Sequence, residues 1–234
     1  MTRLPSPGSE ELRTPGLQRR AVSLAIPGAR LDGDLVLPRD ARGLVVFAHG
    51  SGSSRHSPRN RFVAEMLHEG RLGTLLLDLL TREEEAIDAR TARLRFDIGL
   101  LAERLVGAIE WAETERSTRV LRIGLFGAST GGGAALVAAA LRPDSVGAVV
   151  SRGGRPDLAG EALPAVRAPT LLVVGGDDEP VIELNREAMA RMRGDVHLEI
   201  VPGATHLFEE PGTLDEVGRL ARDFFVAHLA PRVT

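Results

Sequence analysis

Residues Leu121 to Phe126 form a short apolar run. It leads into Gly127-Ala128-Ser129-Thr130-Gly131-Gly132-Gly133 and then into the helix-forming stretch Ala134 to Leu141. An apolar run, Gly-x-Ser-x-Gly and a helix, in that order, describe a turn so tight that the residues flanking its serine must be nearly free of side chain. The hydroxyl of Ser129 would then stand clear of the backbone. The first N–H groups of the helix would point at whatever oxygen binds beside it. Such a turn fits few architectures, because it needs a buried strand that feeds directly into a packed helix.

The rest of the chain supplies that setting. Arg20–Ile26 and Leu31–Leu37 alternate as strands about the turn Pro27-Gly28, which predicts an antiparallel hairpin at a sheet edge. Gly43–Ala48, Leu72–Leu77, Val120–Phe126, Val146–Val150, Thr170–Val174 and Val196–Val201 read as further strands. Several are continuously apolar, as strands covered on both faces must be. Helical spacing recurs between them, in Pro58–Glu69, in the stripe Ile98, Leu101, Leu105, Ile109 and Ala112, and in Ile182–Met192 and Leu214–Leu229. Thr81–Arg95 alternates in charge and reads as a solvated segment. Parallel strands need crossover helices, so the expected fold is a three-layer α/β sandwich. Its sheet should be mostly parallel and twisted, with helices on both faces. The chain has 234 residues and no insertion large enough for a separate lid domain, so residues 20–234 are expected to form one domain behind a flexible tail of residues 1–19.

Composition removes several chemistries. There is no cysteine, hence no disulfide, thiolate metal site or cysteine nucleophile. All 29 basic residues are arginine, and tyrosine is absent. A nicotinamide loop could be read into Gly127, Gly131 and Gly133. Several strands precede it, however, and the tyrosine–lysine pair of short-chain dehydrogenases has no residues to form from. A P-loop fails for want of its lysine. A formal net charge of −3 gives no electrostatic argument for nucleic acid or an anionic membrane. No apolar stretch approaches the roughly 20 residues that span a bilayer. Neither a signal peptide nor a cofactor motif is apparent, so the expectation is a cytoplasmic, cofactor-independent protein.

In a sheet of this type, functional groups lie beyond the carboxyl ends of the strands. The loop after Thr170–Val174 carries Asp177, Asp178 and Glu179, and the loop after Val196–Val201 carries His206. Serine, acid and histidine thus follow one another in the order expected of a nucleophile, a carboxylate and a base. A serine hydroxyl needs an imidazole to take its proton, and the imidazole needs a carboxylate to hold its tautomer and its transient charge. An oxyanion needs prepositioned donors. The Thr130 N–H is one, and the loop His49-Gly50-Ser51-Gly52-Ser53-Ser54 offers the Ser51 N–H as a second. His49 is expected to order that loop. Arg55, His56 and Arg152 are candidates to bind substrate, against the alternative that they pair with nearby carboxylates.

Together, the elbow, the His-Gly loop, Gly175-Gly176-Asp177-Asp178-Glu179-Pro180-Val181 and Gly203-Ala204-Thr205-His206 resemble the α/β-hydrolase superfamily, and within it the small, lidless dienelactone hydrolase-like branch. The resemblance runs from about residue 20 to residue 230. It implies Ser129 as nucleophile, Asp178 as acid and His206 as base, with Asp177 and Glu179 as competitors for the acid. Dienelactone hydrolases proper use a cysteine nucleophile, so the resemblance implies the fold and the hydrolytic triad rather than a lactone substrate. The expected activity is cleavage of a small-molecule carboxylic ester, or less readily a thioester or amide, through an acyl-enzyme. Acyl transfer to another acceptor and a non-catalytic scaffold are the alternatives on the same fold.

Overall fold

The computed structural model describes residues 16–229. Its elements run β1 (Leu17–Ile26), β2 (Ala29–Pro38), β3 (Gly43–Ala48), α1 (Pro58–Glu69), β4 (Leu72–Leu77), α2 (Arg82–Thr91), α3 (Ile98–Thr114) and β5 (Arg122–Ala128). They continue with α4 (Thr130–Leu141), β6 (Val146–Arg152), β7 (Thr170–Gly175), α5 (Glu179–Arg191), β8 (Val196–Val201) and α6 (Thr213–Leu229). One eight-stranded sheet takes the order β1-β2-β4-β3-β5-β6-β7-β8. β1 pairs antiparallel with β2 and β2 antiparallel with β4, while every other pairing is parallel. This is the α/β sandwich that the sequence pattern predicts.

Two apolar layers flank the sheet, and the period-2 alternation of the strands assigns side chains to each. In β3, Leu44, Val46 and Ala48 face the layer built with α3 and α4, whereas Val45 and Phe47 face the layer of α1 and α6. Phe47 and Phe126 meet across β3 and β5 with ring centroids 4.8 Å apart. Close helix packing requires a missing side chain at Gly124, where a Cβ would lie 2.7 Å from the Phe225 ring of α6.

Three details differ from the sequence reading. β1 begins before the expected domain boundary, since Leu17, Gln18 and Arg19 already pair with Pro38, Leu37 and Val36. Residues 1–15 of the expected tail lie outside the described residues. The segment Thr81–Arg95 is not merely solvated chain but holds α2 and a 3-10 turn at Leu94–Phe96. A capping box starts the helix: Thr81 Oγ1 accepts from Glu84 N–H at 3.2 Å, and Glu84 Oε2 accepts from Thr81 N–H at 2.8 Å. β6 also runs two residues beyond the predicted end, so Arg152 closes a strand instead of starting a loop.

Candidate active site

Ser129 joins β5 to α4 with φ 51° and ψ −122°, a left-handed backbone that a residue with a Cβ adopts at a cost of about 1–3 kcal/mol. Neighbouring bonds hold it there. Its N–H donates to Arg152 O at 3.2 Å, and its carbonyl accepts from Gly132 N–H at 2.9 Å and Arg155 N–H at 3.0 Å. The flanking glycines are required by close approach: a Cβ on Gly127 would lie 2.5 Å from Gly131 O, and one on Gly131 would lie 2.7 Å from His49 O. The α4 N-terminus is thereby pressed against the His49–Ser54 loop.

His206 and Asp178 meet although they stand in different loops. His206 Nδ1 donates to Asp178 Oδ2 at 2.7 Å. Gly175 makes this possible, because its missing side chain lets the end of β7 pack on the carbonyls of Ala204 and Thr205. Asp177 N–H donates to Ala204 O at 2.9 Å and closes the same junction. Asp177 and Glu179, the other candidate acids, point outward as exposed residues. The histidine turn is clasped by Glu210, which accepts from Thr205 N–H at 3.1 Å and Thr205 Oγ1 at 2.6 Å. Hydrogen bonds from Thr205 hold the Glu210 carboxyl below the usual glutamate range.

Gly153, with φ 49°, follows β6 and packs against the histidine turn. A Cβ there would sit 3.6 Å from His206 Cε1, and the preceding carbonyl, that of Arg152, is the acceptor of the Ser129 N–H. The imidazole thus lies over the end of the strand that also fixes the serine. Among the described residues, no hydrogen bond joins His206 Nε2 to Ser129 Oγ.

Of the two donors expected for an oxyanion, the Thr130 N–H opens α4 as its first helical position and has no intrahelical acceptor. The Ser51 N–H departs from expectation, because it donates to Thr130 Oγ1 at 2.9 Å and is already engaged. His49 orders this loop. Its Nε2 accepts from Leu79 N–H at 3.1 Å, so Nδ1 carries the proton and donates to Gly50 O at 2.9 Å. Burial keeps His49 below the usual histidine pKa, against the opposing pull of Gly50 and Asp78.

The substrate-binding candidates separate. Arg55 does not face a substrate site: its guanidinium pairs with Asp78 and lies 3.8 Å from Asp34, and its N–H donates to Asp78 Oδ1 at 2.8 Å. The nearby carboxylates claim it because they hold it through both side chain and backbone. His56 is exposed, with Nδ1 2.7 Å from Arg61 Nη2. It helps to line a cavity of about 480 Å³ together with the His49–Ser54 loop, Leu80, Glu85, Asp88 and Arg95. Gly50, which lines this cavity, also packs on Ser129: a Cβ there would lie 3.1 Å from Ser129 Cβ. The cavity's outer wall comes from α2 and the 3-10 turn, elements that the sequence reading missed. The available signal was the Thr-x-x-Glu capping pattern at Thr81 and Glu84.

Arg152 is the unusual one. It is 7% exposed, and its Nε and Nη1 have no partner among the described residues. The guanidinium carbon lies 5.9 Å from the centre of the Phe208 ring. Burial, and then the nearby charge of Arg59, lowers its pKa to about 10, so it remains a cation at neutral pH.

The profile of the dienelactone hydrolase family matches residues 31–223. The chain belongs to the dienelactone hydrolase family. A crystal structure of the dienelactone hydrolase from Anabaena variabilis superposes with a TM-score of 0.90 at 60% identity, covering 92% of this chain and 99% of that one. Est1E from Butyrivibrio proteoclasticus shares the fold at 18% identity, with a TM-score of 0.73 over 89% of this chain and 98% of its own. A Mycobacterium tuberculosis protein provisionally named a phosphoribosyl transferase is 56% identical over 215 residues, 92% of this chain and 48% of that protein. The chain therefore spans about half the length of the curated relatives it matches. Among the described residues, no helix is long and apolar enough to cross a membrane.

Proposed function

We propose that this family member is a serine hydrolase that cleaves small carboxylic esters through a covalent acyl-enzyme. The reading is carried by the 2.7 Å bond from His206 Nδ1 to Asp178, together with a serine held at left-handed φ at the mouth of α4. Ser129 Oγ attacks the ester carbonyl carbon while His206 Nε2 removes its proton, and the Asp178 carboxylate stabilises the imidazolium that forms. The tetrahedral intermediate collapses, and the C–O bond to the alcohol breaks as His206 returns the proton to the leaving oxygen. Water then attacks the acyl-enzyme with His206 again as base, releasing the acid and restoring Ser129.

A fluorophosphonate probe tests this reading. Wild type should label and hydrolyse p-nitrophenyl acetate, and Ser129→Ala should do neither. Equal labelling of the two would remove Ser129 from the nucleophile's role. Interception of the acyl-enzyme by an alcohol, read as transesterified product in mixed solvent, would mark an acyltransferase. Phosphoribosyl transfer, the activity in the mycobacterial relative's name, finds no support in these groups, and we place it outside the segment shared with this chain. Within the same reading, Arg152 is the side chain for an anionic group on the substrate, because a buried guanidinium without an acceptor is costly unless an anion completes it.

A further inference from the structure

The Ser51 amide, whose expected role was to bind an oxyanion, donates instead to Thr130 Oγ1 at 2.9 Å. That bond fills one lone pair of the hydroxyl and leaves its proton to be placed. Thr130 is 4% exposed, and among the described residues its Oγ1 donates to no acceptor. A buried O–H without an acceptor is unfavourable unless a ligand supplies one. The hydroxyl sits on the residue directly after Ser129, whose N–H is also without an intrahelical partner at the start of α4. Gly50 packs on the Ser129 Cβ and Gly131 on the His49 carbonyl, so little room remains for the loop to swing away.

We propose that the Thr130 hydroxyl is a donor to the tetrahedral oxyanion, oriented for that task by the Ser51 N–H. Thr130 then supplies two donors, its own N–H and its O–H, and Ser51 acts through the hydroxyl. Accepting a bond from the Ser51 amide polarises the O–H and strengthens it as a donor. The oxyanion gains charge only as the serine adds to the carbonyl, so the contribution appears in kcat rather than in ground-state binding. The inference rests on the serine hydrolase reading above.

Thr130→Val keeps the shape and the backbone N–H and removes the hydroxyl, whereas Thr130→Ser keeps the hydroxyl. For p-nitrophenyl acetate, Thr130→Val should lose kcat on the order of a hundredfold with KM within a few fold. Its fluorophosphonate labelling rate should fall in parallel and its melting temperature should stay close to wild type. Thr130→Ser should recover kcat to within several fold. The proposal is overturned if Thr130→Val turns over at or above the wild-type rate, because the released Ser51 amide would then be the true donor. It is equally overturned if Thr130→Ser is as impaired as Thr130→Val. Turnover persisting in Ser129→Ala would instead remove the parent reading and this proposal with it. An inactive Ser129→Ala beside a fully active Thr130→Val defeats this proposal alone.

Discussion

In the mechanism proposed above, Ser129, Asp178 and His206 share one proton path, so their removal should be grossly non-additive. Ser129→Ala and His206→Ala should each reduce kcat/KM for a short ester by about a thousandfold or more while leaving the far-ultraviolet circular dichroism unchanged. Asp178→Asn should be severely impaired as well, since an amide opposite Nδ1 fixes the wrong tautomer; near-normal turnover would move the acid to Asp177 or Glu179. Arg152 allows a different test, read as a ratio. Arg152→Leu should lower kcat/KM for a dicarboxylic half-ester at least tenfold more than for a neutral ester of equal length. Equal losses on both substrates would give Arg152 a structural role instead. At this scale the sequence marks which residue types stand beyond which strands. It cannot tell Asp178 from its two acidic neighbours by pattern, because only the turn after β7 decides which carboxylate looks inward. Nor does it reveal that Arg55 is held by Asp78, a contact between loops that follow different strands.

At the scale of elements, strands and crossover helices are legible because burial on one or both faces leaves a period in the sequence. α2 escapes this logic. Asp88 is its single buried residue, and Glu83, Glu84, Glu85 and Arg90 give it the look of solvated chain. Its order comes from local bonds: the capping box at Thr81, and Asp88 accepting from Leu94 N–H at 2.8 Å and Arg95 N–H at 3.1 Å. A helix held by hydrogen bonds rather than by an apolar stripe should be sensitive to loss of its cap. Thr81→Ala should destabilise α2 by about 1 kcal/mol. Amide exchange over residues 82–91 should accelerate several fold while the central strands keep their protection. Because α2 walls the cavity beside the His49–Ser54 loop, the proposed esterase reading predicts that the same variant changes KM for bulky esters more than for acetate esters.

For the whole molecule, stability depends on a histidine far from the chemistry. His68, in the last turn of α1, lies 2.9 Å from Thr74 Oγ1 of β4 through its Nε2. Burial, with Arg19 nearby, depresses its pKa to about 4. The unfolded chain has the higher histidine pKa, about 6.5, and so binds more protons between these two values. Stability from this site is therefore complete above about pH 6.5 and falls as the pH drops toward 4. Thermal melts across that window should show a decline that His68→Gln flattens; an unchanged slope would place the titrating group elsewhere. The sequence by itself determined the alternation of strands and helices, the glycine-flanked serine and the order of acid and histidine. Each of these is a local pattern set by burial period or steric limits within a few residues. Tertiary structure alone decided which carboxylate meets His206, that Arg55 is paired while Arg152 Nε and Nη1 find no partner among the described residues, and that the Ser51 amide reaches Thr130 instead of standing open. Those outcomes depend on distances between loops brought together by sheet order and close glycine packing, which no spacing along the chain encodes.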